Sequence, residues 1–401
     1  MGVAGCRRKI NPLAYVYRLI RHCVPKKVGK IAIRAILFTA RHRPLQRKIV
    51  FDSLLGKGFC DEPKYLLLEL LREGVDAEYI WVVQDLKAEM PAQVRKVKYN
   101  SWQAKYHYLT AKIWVDNVKC SRKPEKRPGQ FYLQTWHGCW ALKKIEQQVE
   151  DKLPAGYVIP AKEDAAKTDL MYINNRFFKD LYENHFWYDG PVIDAGSPCF
   201  SVLVNPPEGL AERVRAHLGI EPDSKIVLYA PTFRVNRAIV NLRSLYSLDV
   251  DRLAAECAKR FGGRFTVLMR LHPNSSELAR QLSGKAVDAT AYPDVYELLS
   301  ASDVLITDFS STMAFMAFVR RPVFLFARDY DNYVAEERGL TYPLEKLPFS
   351  IAKDEVSLLE NIRAFNEENY KRDVEAFIND IGMVDDGHGA EKICRILKRH
   401  L

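Results

Sequence analysis

Three short polar motifs stand where three apolar runs of the chain end. They are Gln-Thr-Trp-His-Gly at 134–138, Arg-Leu-His-Pro-Asn at 270–274 and Thr-Asp-Phe-Ser-Ser at 307–311. Each follows a run that is typical of a buried strand. Open α/β sheets bind their ligands just beyond the carboxyl ends of strands. Two histidines, an arginine and a pair of serines at such positions therefore indicate a site for a phosphorylated ligand.

The second half of the chain supplies the candidate phosphate ligands. Ser310 and Ser311 precede an apolar helix, whose N-terminus offers unpaired N–H groups and the positive end of the helix dipole. Simple capping of that helix is the alternative role. Arg234 follows another strand and is suited to bidentate binding of a phosphate, or to a surface ion pair. His272 precedes a proline, which favours extended geometry, so its ring can reach a pyrophosphate oxygen or play a structural part.

The first half supplies the candidate base. It is His137, because a histidine side chain can take a proton from an attacking hydroxyl near neutral pH. Gly138 lets a ligand approach the backbone closely. Lys143 and Lys144 offer positive charge to an anionic acceptor, although a solvated helix face explains them equally well.

Metal and redox sites have little support in the sequence. Asp329 and Asp331 form a D-x-D pair, which is weak evidence for a metal by itself, and we predict metal-independent chemistry without a cofactor. The eight cysteines are scattered and form no C-x-x-C pair, which is the spacing of zinc and redox motifs. We expect free thiols in a reducing cytosol.

The net charge of +10 comes from one end of the chain. The first 51 residues hold 13 of the 60 Lys and Arg residues and no acid, which leaves 47 basic residues against 50 acidic ones in the remainder. The body of the protein is therefore nearly neutral. Without a base-stacking pattern beside the charge, nucleic-acid binding is not expected.

The basic arm has helical amphipathic patterning. One helix is expected to start at Asn11, and a second stretch from Val28 to Thr39 places apolar residues on one stripe with Lys and Arg around it. Such helices are typical of membrane surfaces, and an ordinary helix packed on the domain is the alternative. The longest apolar stretch, 31–40, is interrupted by Arg34 and is shorter than the about 20 residues of a membrane span. Basic residues rather than a cleavage site follow it, so it is also a poor signal peptide. We predict peripheral association with an anionic membrane.

Beyond the arm, predicted strands and helices alternate in two halves, in keeping with the two domains expected from the length. The pattern predicts an α/β protein with two doubly wound, Rossmann-like domains that face a central cleft. We place the arm at 1–47, the first domain at 48–204 and the second domain, with the closing helices, at 205–401. Helices are expected at 142–150, 176–185 and 250–261, among others. The stretch 235–249 has no clear period and is expected to form a loop beside the site.

In this order, the motifs resemble those of the CDP-glycerol glycerophosphotransferase family, which primes and polymerises teichoic acids and related cell-surface polymers. The resemblance covers about residues 50–395. It rests on the runs at 134–138, 142–145, 230–234, 270–273, 307–311, 321–323 and 329–333.

The resemblance implies a GT-B-like fold and transfer of a polyol phosphate from CDP-glycerol or CDP-ribitol to an acceptor hydroxyl, with release of CMP. His137 then corresponds to the base, and Gly138, Lys143 and Lys144 belong to the acceptor side in the first domain. The donor is bound in the second domain. The corresponding donor ligands are Arg234, His272, Thr307, Ser310 and Ser311. A lipid-linked polyol-phosphate or glycan acceptor and a peripheral location on the cytoplasmic face of the cell membrane are further implications.

Three positions depart from the family pattern. Cys139 and Trp140 stand where Thr-Pro usually follows the His-Gly, and Phe315 stands where an aspartate is usual. These departures leave the polyol and the acceptor open. A GT-B glycosyltransferase or nucleotide-sugar epimerase is one alternative, although no convincing acidic residue for the donor ribose or sugar is present. A non-catalytic protein that binds at the membrane surface is the other.

Overall fold

Two parallel sheets form the framework of the computed structural model. It describes residues 26–119, 122–138, 140, 142–232, 234, 246–271, 284–331, 333 and 339–401. The strands are β1 (Gln46–Asp52), β2 (Glu78–Val83), β3 (Val94–Lys98), β4 (Ala111–Asp116), β5 (Phe131–Gln134), β6 (Met171–Ile173), β7 (Val192–Asp194), β8 (Lys225–Tyr229), β9 (Phe265–Met269), β10 (Val287–Asp288), β11 (Val304–Thr307), β12 (Val323–Phe326) and β13 (Ile351–Ala352).

Helices surround both sheets. They are α1 (Lys26–His42), α2 (Asp61–Arg72), α3 (Trp102–Thr110), α4 (Ala155–Ala165), α5 (Arg176–His185), α6 (Pro198–Val204), α7 (Leu210–Leu218), α8 (Val250–Phe261), α9 (Val295–Ala301), α10 (Thr312–Phe318), α11 (Glu355–Ala364), α12 (Glu367–Asp380) and α13 (Gly389–His400). Two short 3₁₀ helices, Glu146–Lys152 and Leu344–Lys346, lie between them.

The strand orders confirm the predicted doubly wound topology. The first sheet runs β3-β2-β1-β4-β5, and the bridge between Leu133 and Leu170 continues it towards the parallel pair β6-β7. The second sheet runs β10-β9-β8-β11-β12-β13. The order reverses between β1 and β4 in the first sheet and between β8 and β11 in the second. Ligand crevices of doubly wound sheets open at such reversal points.

Apolar strands buried on both faces fix this arrangement, as is usual for parallel sheets. Side chains of the first sheet such as Ile49, Trp81 and Ile113 are fully buried. They pack in one core with α2 and with the last helix, through residues such as Leu66 and Leu397. The last helix, α13, therefore packs on the first sheet, whereas the predicted boundaries assigned all closing helices to the second domain. The boundaries themselves stay a prediction.

A buried ion pair joins the two halves. Lys64 on α2 donates to the carboxylate of Asp294 at the start of α9, with 2.7 Å between Nζ and Oδ2, and Tyr65 donates to the same oxygen. The side chains of Lys64 and Asp294 are 8% and 0% exposed. Removing one partner of such a pair leaves a buried charge uncompensated, so this contact holds α2 against α9.

Most of the predicted helices and strands are confirmed, and one predicted helix is wrong. The expected helix at 142–150 begins as extended chain instead, because Lys143 pairs with Leu340 and the Thr341 amide donates to the Leu142 carbonyl. A 3₁₀ helix follows from Glu146. Strands β3, β10 and β13 and helices α4, α6 and α7 are additional to the predicted elements.

The arm is described from Lys26 onward, and its expected first helix lies outside the described residues. Helix α1 packs on α3 through its C-terminal half, where Leu37 and Ala40 contact Tyr106 and Leu109. Most of the predicted apolar stripe faces solvent, whereas Ile36 packs against the α3 residues. The large exposed side chains of the stripe are Val28 at 51% and Ile31 at 65%, with Phe38 beside them at 66%. Among the described helices, none has the length and apolar character to span a bilayer.

Candidate active site

The reversal point of the first sheet carries His137. Asn117 follows β4, and its side chain crosses to the end of β1, where Oδ1 accepts from the Leu54 amide and Nδ2 donates to Ser53 Oγ. The backbone carbonyl of Asn117 lies 2.9 Å from His137 Nδ1. Residues 134–138 are thus attached to the edge of the sheet at which ligand crevices open.

This contact fixes the state of the His137 ring. A carbonyl oxygen only accepts, so Nδ1 carries a proton, and in the neutral ring Nε2 keeps its lone pair. Trp136 stacks on the ring with the centroids 4.3 Å apart, and His137 itself is exposed. An exposed imidazole with a basic Nε2 is the form that can take a proton from an attacking hydroxyl.

The reversal point of the second sheet is held together by Asp308. Its Oδ1 accepts from the amides of Thr232 and Phe309 at 2.7 and 2.6 Å. Its Oδ2 accepts from Arg234 at 2.7 Å. The Thr307 hydroxyl donates to the Ala230 carbonyl at 2.7 Å. These bonds join the carboxyl ends of β8 and β11, where the predicted donor site lies.

Two of the predicted donor ligands are therefore engaged elsewhere. Arg234 is 4% exposed, and its guanidinium is paired bidentately with Asp329 as well as with Asp308. Burial alone would lower the pKa of this guanidinium, but the hydrogen bond to Asp329 and the charge of Asp308 raise it above the usual value. Thr307 is fully buried, and its hydroxyl is used within the sheet. Both residues shape the crevice rather than line it.

The paired serines do face the first half of the chain. A Cβ built at Gly138, where φ is +94°, would lie 3.2 Å from Ser311 Oγ. Ser310 Oγ accepts from the amide and the hydroxyl of Thr312, and both serines are half-buried. The structure thus brings His137, Gly138, Ser310 and Ser311 to one cleft.

The remaining predicted residues have mixed outcomes. Lys143 Nζ lies 4.8 Å from the ring centre of Tyr333, which stacks on Phe309 at 3.6 Å. The Lys144 amide donates to the Gly339 carbonyl. Both lysines thus lie at the contact between the two halves, and their part in acceptor binding stays a prediction. His272 and most of the loop expected at 235–249 lie outside the described residues.

The D-x-D aspartates are each paired with a cation. Asp329 holds Arg234, and Asp331 holds Lys353 with both oxygens at 3.0 Å. These carboxylates are therefore part of ion pairs, which agrees with the weak weight given to the motif.

A pair of buried acids behind His137 is missing from the predicted site. Asp61 and Glu62 begin α2 and are 8% and 2% exposed. Burial raises the pKa of Asp61 to about 6, against the opposing charge of His137. Burial and the neighbouring Asp61 raise the pKa of Glu62 to about 8. The sequence signal was an Asp-Glu-Pro helix start, which predicts exposed first-turn acids and gives no sign of burial.

Glu62→Gln is expected to remove a pH dependence of stability. With the pKa raised from 4.5 to about 8, folding takes up a proton on Glu62 between these values. The wild type should therefore lose stability as the pH rises through that window, by at most about 1.4 kcal/mol per pH unit. Glutamine resembles the neutral carboxyl. The melting temperature of the variant should therefore rise relative to that of the wild type as the pH increases from 5 to 8. Thermal unfolding at several pH values measures this.

Glu368→Gln serves as the control, because Glu368 is exposed on α12. Its melting temperature should follow that of the wild type at every pH. Parallel pH curves for the wild type and Glu62→Gln would show that Glu62 does not bind a proton on folding.

Gly138→Ala is expected to impair the cleft. The added methyl group would lie 3.2 Å from Ser311 Oγ, at a φ that L-residues rarely adopt, with a strain of about 1–3 kcal/mol. Small displacements of reacting groups cost about 100-fold in rate, so turnover should fall by about 10- to 100-fold. Steady-state kinetics measure the fall.

Gly156→Ala on α4 is the matched control, since a Cβ there meets open space. Full activity of Gly138→Ala would mean that the two loops do not need their close approach.

The two sheets with their reversal points on one cleft define a two-domain α/β protein of the GT-B class. More narrowly, the chain belongs to the CDP-glycerol:poly(glycerophosphate) glycerophosphotransferase family, whose model matches residues 35–399. The resemblance noted in the motifs is thereby confirmed.

Curated relatives share this assignment. The chain is 29% identical to a teichoic acid poly(glycerol phosphate) polymerase of Staphylococcus epidermidis over 98% of its own length and 56% of that protein. A polymerase of the same description from Bacillus subtilis is 26% identical, over 90% of this chain and 50% of that protein. The chain thus spans about half the length of these relatives. It covers 93% of a teichoic acid glycerol-phosphate transferase of Staphylococcus aureus, with 28% identity over 88% of this chain.

Solved structures agree with the fold. A variant of the wall teichoic acid polymerase TagF has a TM-score of 0.79 and 26% identity, and 98% of both chains is covered. Another TagF variant, soaked with CDPG, has a TM-score of 0.78 and 27% identity, with coverage of 96% and 98%. A Staphylococcus aureus MnaA–UDP complex reaches 0.51 at 10% identity and is similar in fold alone.

Proposed function

We propose that this protein transfers glycerol phosphate, or a similar polyol phosphate, from a CDP-activated donor to an acceptor hydroxyl in teichoic-acid-like polymer synthesis. The observation that carries the proposal is the approach of Gly138 to Ser311. This approach places the candidate base His137, which follows the first sheet, close to the candidate phosphate ligands Ser310 and Ser311, which follow the second. The family description names CDP-glycerol, which supports a CDP-activated donor. Relatives described as a glycerol-phosphate transferase and a ribitol-phosphate polymerase support a polyol phosphate as the transferred group.

The reaction is a displacement at phosphorus. The acceptor oxygen attacks the phosphorus that carries the polyol, the bond from that phosphorus to the CMP oxygen breaks, and His137 Nε2 takes the acceptor proton. CMP leaves with the electron pair of the broken bond. Stabilising the charge on the transferred and leaving phosphates is the main electrostatic task of such a site. The hydroxyls of Ser310 and Ser311 serve it in this proposal.

Release of CMP tests the proposal. The full chain is incubated with CDP-glycerol or CDP-ribitol and a lipid-linked glycerol-phosphate acceptor, and CMP is measured. Release from one donor that requires the acceptor is the expected result. If the donor binds and no acceptor promotes CMP release, a non-catalytic binding protein is favoured. If neither donor binds, a different nucleotide-activated donor is indicated.

The acceptor is proposed to be lipid-linked and the protein to lie peripherally on an anionic membrane. Helix α1 exposes apolar side chains, Val28, Ile31 and Phe38, beside Lys30 and Arg34. Lys and Arg near an anionic leaflet contribute about 1 kcal/mol each, and the exposed apolar groups add to this by leaving water. The cytoplasmic face is the side on which such a donor is expected to be available.

Negative charges introduced on the exposed apolar side of α1 test this placement. The triple variant Val28→Glu/Ile31→Glu/Phe38→Glu keeps the contacts of Leu37 and Ala40 and should lose sedimentation with phosphatidylglycerol vesicles. Val356→Glu is the control, because Val356 is also exposed, at 56%, but lies on α11 of the second half. Equal sedimentation of the triple variant and the wild type would exclude α1 as the membrane-binding surface.

A further inference from the structure

A small polar cavity lies directly behind the His-Gly loop. Its volume is about 10 Å³, which suits one water molecule or one hydroxyl group. Phe178 and Tyr182 form part of its wall. The residues that give it polar or close backbone character are Glu62, Thr135, Gly138, Tyr172, Asn174 and Ser197.

One hydrogen-bond donor in this wall is unused. Asn174 is 3% exposed, and its Nδ2 has no partner among the residues that the structure describes. Its Oδ1 is already engaged, since it accepts from Asn175 Nδ2 at 2.8 Å. Nearly all buried polar atoms in proteins are hydrogen-bonded, and an exception calls for a partner that comes from elsewhere.

The other polar groups of the wall form a preset network. Glu62 accepts from Ser197 Oγ at 2.5 Å, from Tyr172 at 3.1 Å and from the Cys199 amide at 3.2 Å. Ser197 is itself held by its amide, which donates to Asp385 Oδ2 at 2.7 Å. The lining contains no lysine, arginine or histidine, and burial keeps the Glu62 carboxyl neutral by raising its pKa to about 8. Such a wall favours a neutral hydroxyl over a phosphate.

We propose that this cavity is a subsite for one hydroxyl of the acceptor, the hydroxyl next to the one that attacks. Gly138 forms part of the wall, and its neighbour His137 has its Cα about 3.8 Å away along the chain. The substrate class is therefore an acceptor that ends in a vicinal diol, as a polyol phosphate does. Asn174 donates to the second hydroxyl, and the Glu62 network exchanges a hydrogen bond with it. This inference rests on the proposed transferase function.

The test compares two acceptors in the wild type and in Asn174→Leu. One is a lipid-linked glycerol phosphate, and the other is the matched 3-hydroxypropyl phosphate, which keeps the primary hydroxyl and lacks the secondary one. A site that hydrogen-bonds a hydroxyl discriminates strongly against the analogue without it. We expect the wild type to prefer the diol by about 10- to 100-fold in kcat/KM and Asn174→Leu to reduce this preference to less than about threefold.

Two further variants make the result decisive. Asn361→Leu makes the same change at a half-buried asparagine of the second half and should keep the full preference. Tyr172→Phe removes one hydroxyl conservatively and decides the matter if Asn174→Leu does not fold. An unchanged preference in Asn174→Leu and Tyr172→Phe, or none in the wild type, overturns the subsite while CMP release still supports the transferase. Absence of CMP release with both acceptors overturns the transferase and the subsite together.

Discussion

CMP release by the His137→Ala variant is expected to be about 100- to 10,000-fold slower than by the wild type, the range that general bases contribute. The Asn117 carbonyl holds the proton on Nδ1 and leaves Nε2 as the basic atom. Alanine removes that atom from an exposed position, so the fold should be unaffected. Donor affinity, measured by calorimetry with CDP-glycerol, should change little, because the proposed donor ligands lie on the second sheet.

His217→Ala is the matched control, since His217 is also exposed and lies on α7. It should leave both rate and affinity as in the wild type. A fall in donor affinity of His137→Ala that matches the fall in rate would assign His137 to donor binding. Unchanged CMP release would remove it from the reaction.

The local pattern of apolar and polar residues was enough to predict individual helices and strands and their order along the chain. Helices α5 at Arg176–His185 and α8 at Val250–Phe261 are where the apolar spacing puts them. The motifs at strand ends predicted the convergence of Gly138 and Ser311, because ligand crevices open at the carboxyl ends of strands and the two predicted domains face one cleft. The alternation of strands and helices predicted the two parallel sheets, because βαβ units place successive strands parallel in one sheet.

Distant pairing decided the features that the sequence did not predict. The chain at 142–145 is extended because it pairs with residues about 200 positions away, and this overrides its helical pattern. The burial of Glu62 depends on Ser197, which is 135 positions away. Helix α13 completes the first core from the far end of the chain. Periodicity within a window contains none of these contacts.

Arg234 shows this most clearly. In the sequence, an arginine after a strand fits a phosphate ligand as well as it fits an ion pair. Its partners, Asp308 and Asp329, lie 74 and 95 positions away. They turn it into the centre of a buried network that also includes the Thr232 carbonyl. The network in turn fixes the strand ends that precede Ser310 and Ser311.

Arg234→Ala is accordingly expected to reduce the free energy of unfolding by about 3–5 kcal/mol, the usual loss when one partner of a buried ion pair is removed. Asp308 and Asp329, with side chains 2% and 8% exposed, would keep their charges without a counter-ion. Arg320→Ala is the control, because the Arg320–Glu375 pair is 43% and 54% exposed and should contribute less than about 1 kcal/mol. Denaturant unfolding measures both variants. A direct phosphate ligand would give the opposite result, a large loss of donor affinity with stability nearly intact.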